Sequence, residues 1–275
     1  MAAIARTNKA KRVREAREAR EAAEAASAAE KAKELIDFDW DPSKLKPLPP
    51  KKIEDLAGLF FCSLPISVYD VRGKEEIWQE RVLRMLRTVR KTVISCSMCH
   101  LGRKMCIDNE YSFDPHVFSN MIPSRWMVVG QNPGFNECMK GEPFVGDAGK
   151  FFDKCVKDGG LSRSNFYISN AVRCHTVGNE KPMAEHVERC EPFLRIEINL
   201  LRPRLVITLG AVAFEVFCPG MKLTKNLGGI VESDKFGVKV YPVYHPSPRN
   251  MNVKARMEKF EEDISNLCKL VRTVG

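Results

Sequence analysis

At 275 residues the chain is long enough for one sizeable domain or two small ones, and its 44% hydrophobic content is enough to build a core. The formal net charge of +9 favours a polyanionic partner. No apolar run approaches the roughly 20 residues of a membrane-spanning helix, and the first residues lack the apolar stretch of a secretory signal. We therefore expect no membrane association and an intracellular, reducing compartment, cytoplasm or nucleus, with an organelle or a virus-infected cell left open.

The first 52 residues differ in composition from the rest. Residues 1–36 are rich in Ala, Glu, Lys and Arg with almost no large apolar side chain, which is typical of a solvated helix or a disordered arm. A proline-rich stretch at residues 41–52 cannot continue a helix and marks a boundary. We predict a charged tail and linker over residues 1–52, helical or disordered, and one folded domain over residues 53–275.

Beyond the linker, predicted helices and strands alternate. The helices are expected at residues 75–91, 148–157, 182–201, 211–217 and 253–271, and the strands at residues 126–129, 166–169, 205–209 and 238–243. This order predicts an α/β fold: three α/β/α layers around a central, mainly parallel four-stranded sheet, plus a helical N-terminal extension. The ligand site of such a sheet lies at the carboxyl ends of its strands.

Polar, loop-forming sequence follows three of these predicted strands. GQNPG occupies residues 130–134, Asn170 follows the second strand, and HPSPRN occupies residues 245–250. Each feature alone is usually structural, as a turn, a helix cap or a satisfied histidine. Because the carboxyl ends of parallel strands meet at one edge, the three together predict a site there.

The ten cysteines indicate a metal centre, because clustered cysteines in a reducing compartment more often bind metal than form disulfides. Cys96 and Cys99 form a two-spaced pair, and Cys174 and Cys190 form a second pair. Four thiolates suit zinc or an iron–sulfur cluster equally well. Cys106 is a competing ligand. The remaining cysteines are expected to be core or incidental residues: Cys62, Cys138, Cys155, Cys218 and Cys268.

In their order along the chain, these segments resemble the uracil-DNA glycosylase superfamily. The resemblance covers residues 96–250 with the helix beyond, and includes EPFVGDAG at residues 142–149, which is similar to the segment that bears the family's aromatic platform. The cysteine pattern resembles that of family 4, which implies a [4Fe–4S] cluster held by Cys96, Cys99, Cys174 and Cys190. The implied activity is that of a monofunctional glycosylase in base-excision DNA repair, which flips uracil out of DNA and hydrolyses its N-glycosidic bond.

The resemblance also implies a role for single residues. Phe144 would stack on the flipped base, with a core phenylalanine as the alternative, and Asn170 would read the edge of uracil. His245 would donate a hydrogen bond to the uracil oxygen that gains charge as the bond breaks. Ser247 and Arg249 would contact DNA, although Arg249 is alternatively a solvated surface charge.

The first motif departs from family 4, which has an acidic residue where this chain has Gln131 and a small one where it has Asn132. Asn132 instead resembles the water-positioning Asn of the mismatch-specific and single-strand-selective branches, so we expect Asn132 to orient water. Gln131 is expected to contact uracil through its backbone amide or to close the pocket. General-base help is worth about 10²–10⁴ in rate, so turnover slower than in acid-containing relatives is expected.

Two other readings stay open at this stage. The first keeps the fold without the reaction, as a uracil- or nucleic-acid-binding subunit of a larger complex. The second is a zinc-stapled domain that binds RNA or protein through its basic face. The expected partners are uracil-containing DNA and no membrane, the tail is a candidate contact for a protein partner, and a monomer is expected.

Overall fold

A computed structural model describes residues 75–102 and 115–274. The tail, the linker, the predicted boundary at residue 52, Cys62 and Cys106 lie outside them. In chain order the helices are α1 (Glu75–Ile94), α2 (Phe135–Lys140), α3 (Asp147–Asp158), α4 (Ala184–Leu201), α5 (Ala211–Phe217), α6 (Pro248–Met251) and α7 (Lys254–Val274). The strands are β1 (Trp126–Gly130), β2 (Tyr167–Asn170), β3 (Leu205–Leu209), β4 (Val231–Ser233) and β5 (Val238–Val243).

The strands form one sheet in the order β2-β1-β3-β5-β4. The pairs of β1 with β2, β1 with β3, and β3 with β5 are parallel, whereas β4 runs antiparallel to β5. The predicted α/β architecture is confirmed and all four predicted strands are present, but the sheet formed by the described residues has five strands rather than four. The fifth strand, β4, has only three residues and one buried side chain, so its sequence lacks the apolar pattern from which a strand is predicted.

Both faces of the central strands are buried, as expected for a parallel sheet between helices. Every residue of β1 and β3 is buried. Since successive side chains point to opposite faces, Met127 and Val129 face the core that α1, α4 and α5 cover, while Val128 points the other way and is equally buried. Within the described residues, no helix is both long and apolar enough to cross a lipid bilayer.

The register of the sheet determines where the functional residues lie. Gly130 at the end of β1 pairs with Asn170 at the end of β2, and Leu209 pairs with Val243 at the ends of β3 and β5. The chain continues from these ends into the polar segments at residues 131–134 and 244–250. The polar segments therefore share one edge of the sheet, as predicted.

Candidate active site

A cavity of about 790 Å³ opens at this edge. It is lined by residues that follow β1, β3 and β5, by the last residue of β2, and by residues of α2 and α3. All the predicted site residues outside the cysteine set line it: Gln131, Asn132, Phe144, Asn170, His245, Ser247 and Arg249. The sheet thus brings together side chains that are more than 100 residues apart in the chain.

Phe144 and Asn170 meet at Gly130. A Cβ placed on Gly130 would overlap the Phe144 ring and lie 2.6 Å from the Asn170 amide oxygen, so any larger residue would displace one of them. Phe144 is buried, as the core alternative requires, but its ring also lines the cavity. A glycine at the strand end therefore lets an aromatic ring and an amide approach each other at the cavity wall.

Asn170 is buried with its amide oxygen unpaired. Its side chain is 1% exposed, and no described residue donates a hydrogen bond to its Oδ1. A buried polar atom without a partner costs roughly 1–3 kcal/mol, unless a ligand supplies the missing hydrogen bond. The unpaired Asn170 oxygen lies at the cavity wall, where a ligand could supply this hydrogen bond.

Two side chains support the loop that carries Phe144. Glu137 accepts hydrogen bonds through one carboxylate oxygen from the backbone N–H groups of Val145, at 2.9 Å, and Gly146, at 2.7 Å. Arg163 donates to the carbonyl oxygens of Pro143 and, at 2.8 Å, Phe144. Phe144 has a φ of 55°, a left-handed conformation that is costly for a bulky residue and persists only when neighbours impose it.

His245 follows β5 and lines the same cavity as the Phe144 ring, whose centroid lies 6.4 Å from that of the imidazole. Burial lowers the pKa of His245 to about 4, although the negative charge of Glu137 opposes this shift. Gly210 allows the close approach of the turn after β3, because a Cβ there would lie 2.8 Å from that of His245. The imidazole is therefore neutral near pH 7 and donates one N–H.

The amide of Asn132 is held by its neighbours. Its nitrogen donates to the Thr176 hydroxyl at 3.1 Å and the Pro133 carbonyl at 3.0 Å, and its oxygen accepts from the Gln131 amide at 2.9 Å. One lone pair of that oxygen remains for a further donor such as water. Asn132 is thus fixed in orientation before any ligand binds.

The segment after His245 forms a short helix at the cavity mouth. Ser247 immediately precedes α6, and Arg249 lies in it with an exposed side chain. Asn250 donates to the His245 carbonyl at 3.0 Å and accepts from Arg256 of α7 at 3.0 Å. These contacts connect the His245 loop to the last helix.

The four predicted ligand cysteines lie near one another, away from the cavity lining. Cys99, Cys174 and Cys190 belong to one apolar cluster with Leu101 and Val172. Burial raises the pKa of the Cys174 thiol, and the adjacent Cys190, Cys99 and Cys96 raise it further, because a charge on one sulfur disfavours a second charge nearby. The other described cysteines are buried, in agreement with their predicted structural role: Cys138, Cys155, Cys218 and Cys268.

Among residues 75–102 and 115–274, no three Cys, His, Asp or Glu side chains converge closely enough to bind one metal ion. A structural zinc requires four ligands converging on one point, with each sulfur about 2.3 Å from it. The cysteines of a four-iron cluster bind different irons and need not converge on one point. The four cysteines, all within the described residues, therefore do not surround a single point.

Several residues of the site were not foreseen from the sequence. No sequence motif predicts the loop contacts that Glu137, Arg163 and Arg256 make. Asn179 also lines the cavity, from a left-handed turn with a φ of 56°. The two acids within residues 142–149, Glu142 and Asp147, are exposed and do not line the cavity. The carboxylate in the cavity wall is Glu137 instead.

Comparisons with known proteins agree with this geometry. A sequence model of the uracil DNA glycosylase superfamily matches residues 117–268. The chain is similar to a type-4 uracil-DNA glycosylase of Thermotoga maritima, at 30% identity over 70% of this chain and 97% of the relative, and to one of Archaeoglobus fulgidus, at 29% identity over 68% and 94%. A type-5 uracil-DNA glycosylase of Pyrobaculum aerophilum is 37% identical over 48% of this chain and 65% of its own length.

Proposed function

Because the chain belongs to the uracil-DNA glycosylase superfamily, we propose that it is a monofunctional uracil-DNA glycosylase that hydrolyses the N-glycosidic bond of uracil in DNA and leaves an abasic site for repair. The observation that carries the proposal is the buried, unpaired amide oxygen of Asn170 beside the Phe144 ring in a cavity of about 790 Å³. A volume of this size is within the range of small-ligand pockets.

Phe144 and Asn170 would bind the flipped base. The ring of Phe144 offers an aromatic face to a flat heterocycle, and stacking of this kind is worth about 1–3 kcal/mol per base. The Asn170 amide oxygen would accept from uracil N3–H, and the amide nitrogen would donate to a uracil carbonyl. Cytosine has an acceptor at N3 and a donor at C4, so the same amide disfavours it.

His245 would stabilise the leaving group. Departing uracil carries negative charge on an oxygen. A neutral imidazole N–H in a partly dry site stabilises this charge by donating a hydrogen bond to that oxygen. The lowered pKa of His245 supports this protonation state at neutral pH.

Asn132 would orient the attacking water through the free lone pair of its amide oxygen. Because an amide cannot accept the water proton as a carboxylate would, turnover is expected to be slow by roughly the 10²–10⁴ that a general base supplies. Asn179 offers a second amide in the same cavity wall, so its substitution tests whether Asn132 acts alone.

The cysteine set Cys96, Cys99, Cys174 and Cys190 would hold a [4Fe–4S] cluster. Bound there, it supplies a cross-link between the segment after α1, the segment after β2 and the start of α4, a structural role rather than a redox step. Their proximity and the resemblance to type-4 enzymes support this assignment.

The test is release of free uracil from a uracil-containing oligonucleotide by anaerobically purified protein. Release by the wild type, with at least a hundredfold loss in Asn132→Ala and in His245→Ala, is expected. Asn179→Ala is assayed beside them, and a loss as large as that of Asn132→Ala would assign the water to both amides. No release by protein that binds DNA and retains iron would reject the glycosylase and favour a non-catalytic subunit.

A further inference from the structure

One margin of the cavity is formed by two stretches of chain. The first is the connection from α5 to β4, whose tight turn Leu223–Lys225 places Leu223 in the cavity wall. The second runs from the end of β5 into α7 and contributes Arg249 and Arg256 to the same wall. Both stretches contribute to the wall of one cavity, and Lys222 is the chain neighbour of the wall residue Leu223.

This margin is rich in basic residues, although Glu215 accepts a hydrogen bond from the Gly220 N–H within it and Lys254 pairs with Glu258 of α7 at 3.6 Å. Residues 216–231 and 243–257 carry five basic side chains and neither Asp nor Glu: Lys222, Lys225, Arg249, Lys254 and Arg256. Asp and Glu make up about one residue in eight of the chain, so about four would be expected in stretches of this combined length. A surface with this charge pattern favours a polyanion.

Lys222 and Lys225 are the unexplained members of this set. Both side chains are exposed, and neither forms an ion pair with any described residue. By contrast, Lys150, Lys154 and Lys259 each pair with an acid on the surface of α3 or α7.

The turn holds these two lysines in a defined place. The backbone N–H of Lys225 donates to the carbonyl of Lys222 at 3.1 Å, and the Asn226 side chain donates to the same carbonyl at 2.8 Å. Side chains three residues apart in a 3₁₀ turn lie on the same side. The two charges are therefore presented together beside Leu223.

We propose that Lys222 and Lys225 are contacts for the phosphate backbone of DNA, so that a strand passes over the cavity mouth along this margin and is held by the Lys222–Lys225 turn as well as by the Arg249 loop. The inference rests on the proposed function for its choice of DNA as the polyanion. One strand carries a negative charge about every 3.4 Å along the helix axis, so a strand that crosses this margin brings several phosphates to it.

The test is the salt dependence of DNA binding. Dissociation constants are measured by fluorescence anisotropy between about 50 and 200 mM salt for the wild type, Lys222→Ala, Lys225→Ala and the double variant. The probe is a uracil-free duplex, and a uracil-containing duplex of the same length is measured in parallel. Lys157→Ala is the matched control, since Lys157 is exposed, forms no ion pair with a described residue, and lies nine residues along α3 from the cavity residue Ala148.

The slope of the logarithm of the binding constant against the logarithm of the salt concentration is negative. Each single variant is expected to make it shallower by about 0.9, and the double variant by about 1.8. Affinity at about 100 mM salt is expected to fall five- to tenfold per lysine, equally on both probes, because phosphate contacts carry no base information. Lys157→Ala is expected to leave the slope at its wild-type value.

A slope unchanged in the double variant, or changed no more than in Lys157→Ala, would overturn the proposal. Lys222→Gln and Lys225→Gln repeat the measurement if an alanine variant unfolds. Because the uracil-free probe reports binding without catalysis, a chain that binds DNA through these lysines but releases no uracil would uphold this inference and reject the glycosylase.

Discussion

The chemistry of His245 depends on its surroundings more than on the residue type. An unperturbed histidine titrates near pH 6.5, whereas burial lowers the pKa of this one to about 4. As the pH falls, His245 is protonated in the unfolded chain near pH 6.5 but in the folded chain only near pH 4. The folded state is therefore most stable, with respect to this group, above pH 6.5 and loses stability as the pH falls from 6.5 towards 4. Between these values the folded enzyme keeps a neutral donor.

The pH profile tests this protonation state. We expect kcat/KM to show no inflection near pH 6.5 and to stay level down to about pH 5, as far as His245 controls it, because the imidazole remains neutral. Rates are measured from pH 4.5 to 8.5 on a short uracil oligonucleotide. An inflection near pH 6.5 in the wild type that disappears in His245→Gln would contradict the assignment.

Gly130 offers a second test at the scale of one residue. In Gly130→Ala the added methyl group overlaps the Phe144 ring and crowds the Asn170 amide, so we expect KM for uracil DNA to rise at least about tenfold, or 1.4 kcal/mol. Gly229→Ala is the control, since a Cβ there meets only one atom, at 3.4 Å. Equal KM values for the two variants would mean that Phe144 and Asn170 do not form the base site.

At the scale of elements, the loop between α2 and α3 is held from both ends. Glu137 of α2 binds its amides, and Arg163, just before β2, binds its carbonyls while pairing with Asp153 of α3 at 3.1 Å. The left-handed backbone of Phe144 is therefore imposed by three neighbouring segments. This explains how a buried phenylalanine can present a face to the cavity.

Substituting Arg163 should loosen this loop. Arg163→Met leaves two carbonyls without their donor, and a hydrogen bond to a charged group is worth about 1.5–3 kcal/mol, so we expect a stability loss of that order and weaker binding of uracil DNA. Arg163→Lys retains the charge but not the two-pronged donor, and should fall between the wild type and Arg163→Met. Wild-type affinity in Arg163→Met would show that the loop needs no such support.

A buried ion pair links β2 to α4. The guanidinium of Arg173 lies 2.7 Å from the carboxylate of Glu197, both are at most 1% exposed, and Ser169 donates to the same carboxylate at 3.0 Å. The backbone N–H of Arg173 also donates to the Cys190 sulfur at 3.5 Å. The strand that ends in Asn170 is thereby connected to the helix that carries Cys190, one of the proposed ligands.

Breaking this pair on one side leaves a buried charge without a partner. We expect Glu197→Gln to lower the free energy of unfolding by about 3–5 kcal/mol in urea titrations, whereas the double variant Arg173→Met/Glu197→Leu should recover most of it. If the double variant were as unstable as Glu197→Gln, the loss would come from packing and not from the unpaired charge.

For the whole molecule, the proposed cluster joins three segments that the sheet does not hold together. Cys96 and Cys99 follow α1, Cys174 follows β2 and Cys190 lies in α4. Burial keeps the thiols of this region protonated when no metal is bound. It raises the pKa of Cys190, for example, to about 12. A metal cation that binds the thiolates stabilises the deprotonated form and so offsets this preference for the thiol.

Iron removal tests the structural role. We expect Cys190→Ser to lose bound iron and visible colour and to unfold at a lower temperature, while Cys218→Ser, which alters an equally buried cysteine, retains both. Iron content and thermal unfolding are measured on protein purified without oxygen. Unchanged folding and DNA affinity after iron chelation would refute the structural role.

Much of this protein was determined by the sequence alone. Short, mostly apolar runs such as residues 205–209, in which Thr208 is the one polar residue, predict central strands, since a strand covered on both faces buries every side chain. Polar segments after those strands predict the edge at which the site lies, because parallel strands bring their carboxyl ends together. The candidate residues followed from these two regularities and from the resemblance of the motifs.

Only the tertiary structure decided what those residues can do. The left-handed turn at Phe144, its supports Glu137 and Arg163, and the lowered pKa of His245 depend on contacts between loops, whose partners leave no periodic pattern in the chain. Burial is a property of the neighbours that surround a group and not of its residue type. The sequence therefore determines which groups reach the site. The packing around these groups determines their orientation, their charge and which of their hydrogen-bonding atoms stay without a partner.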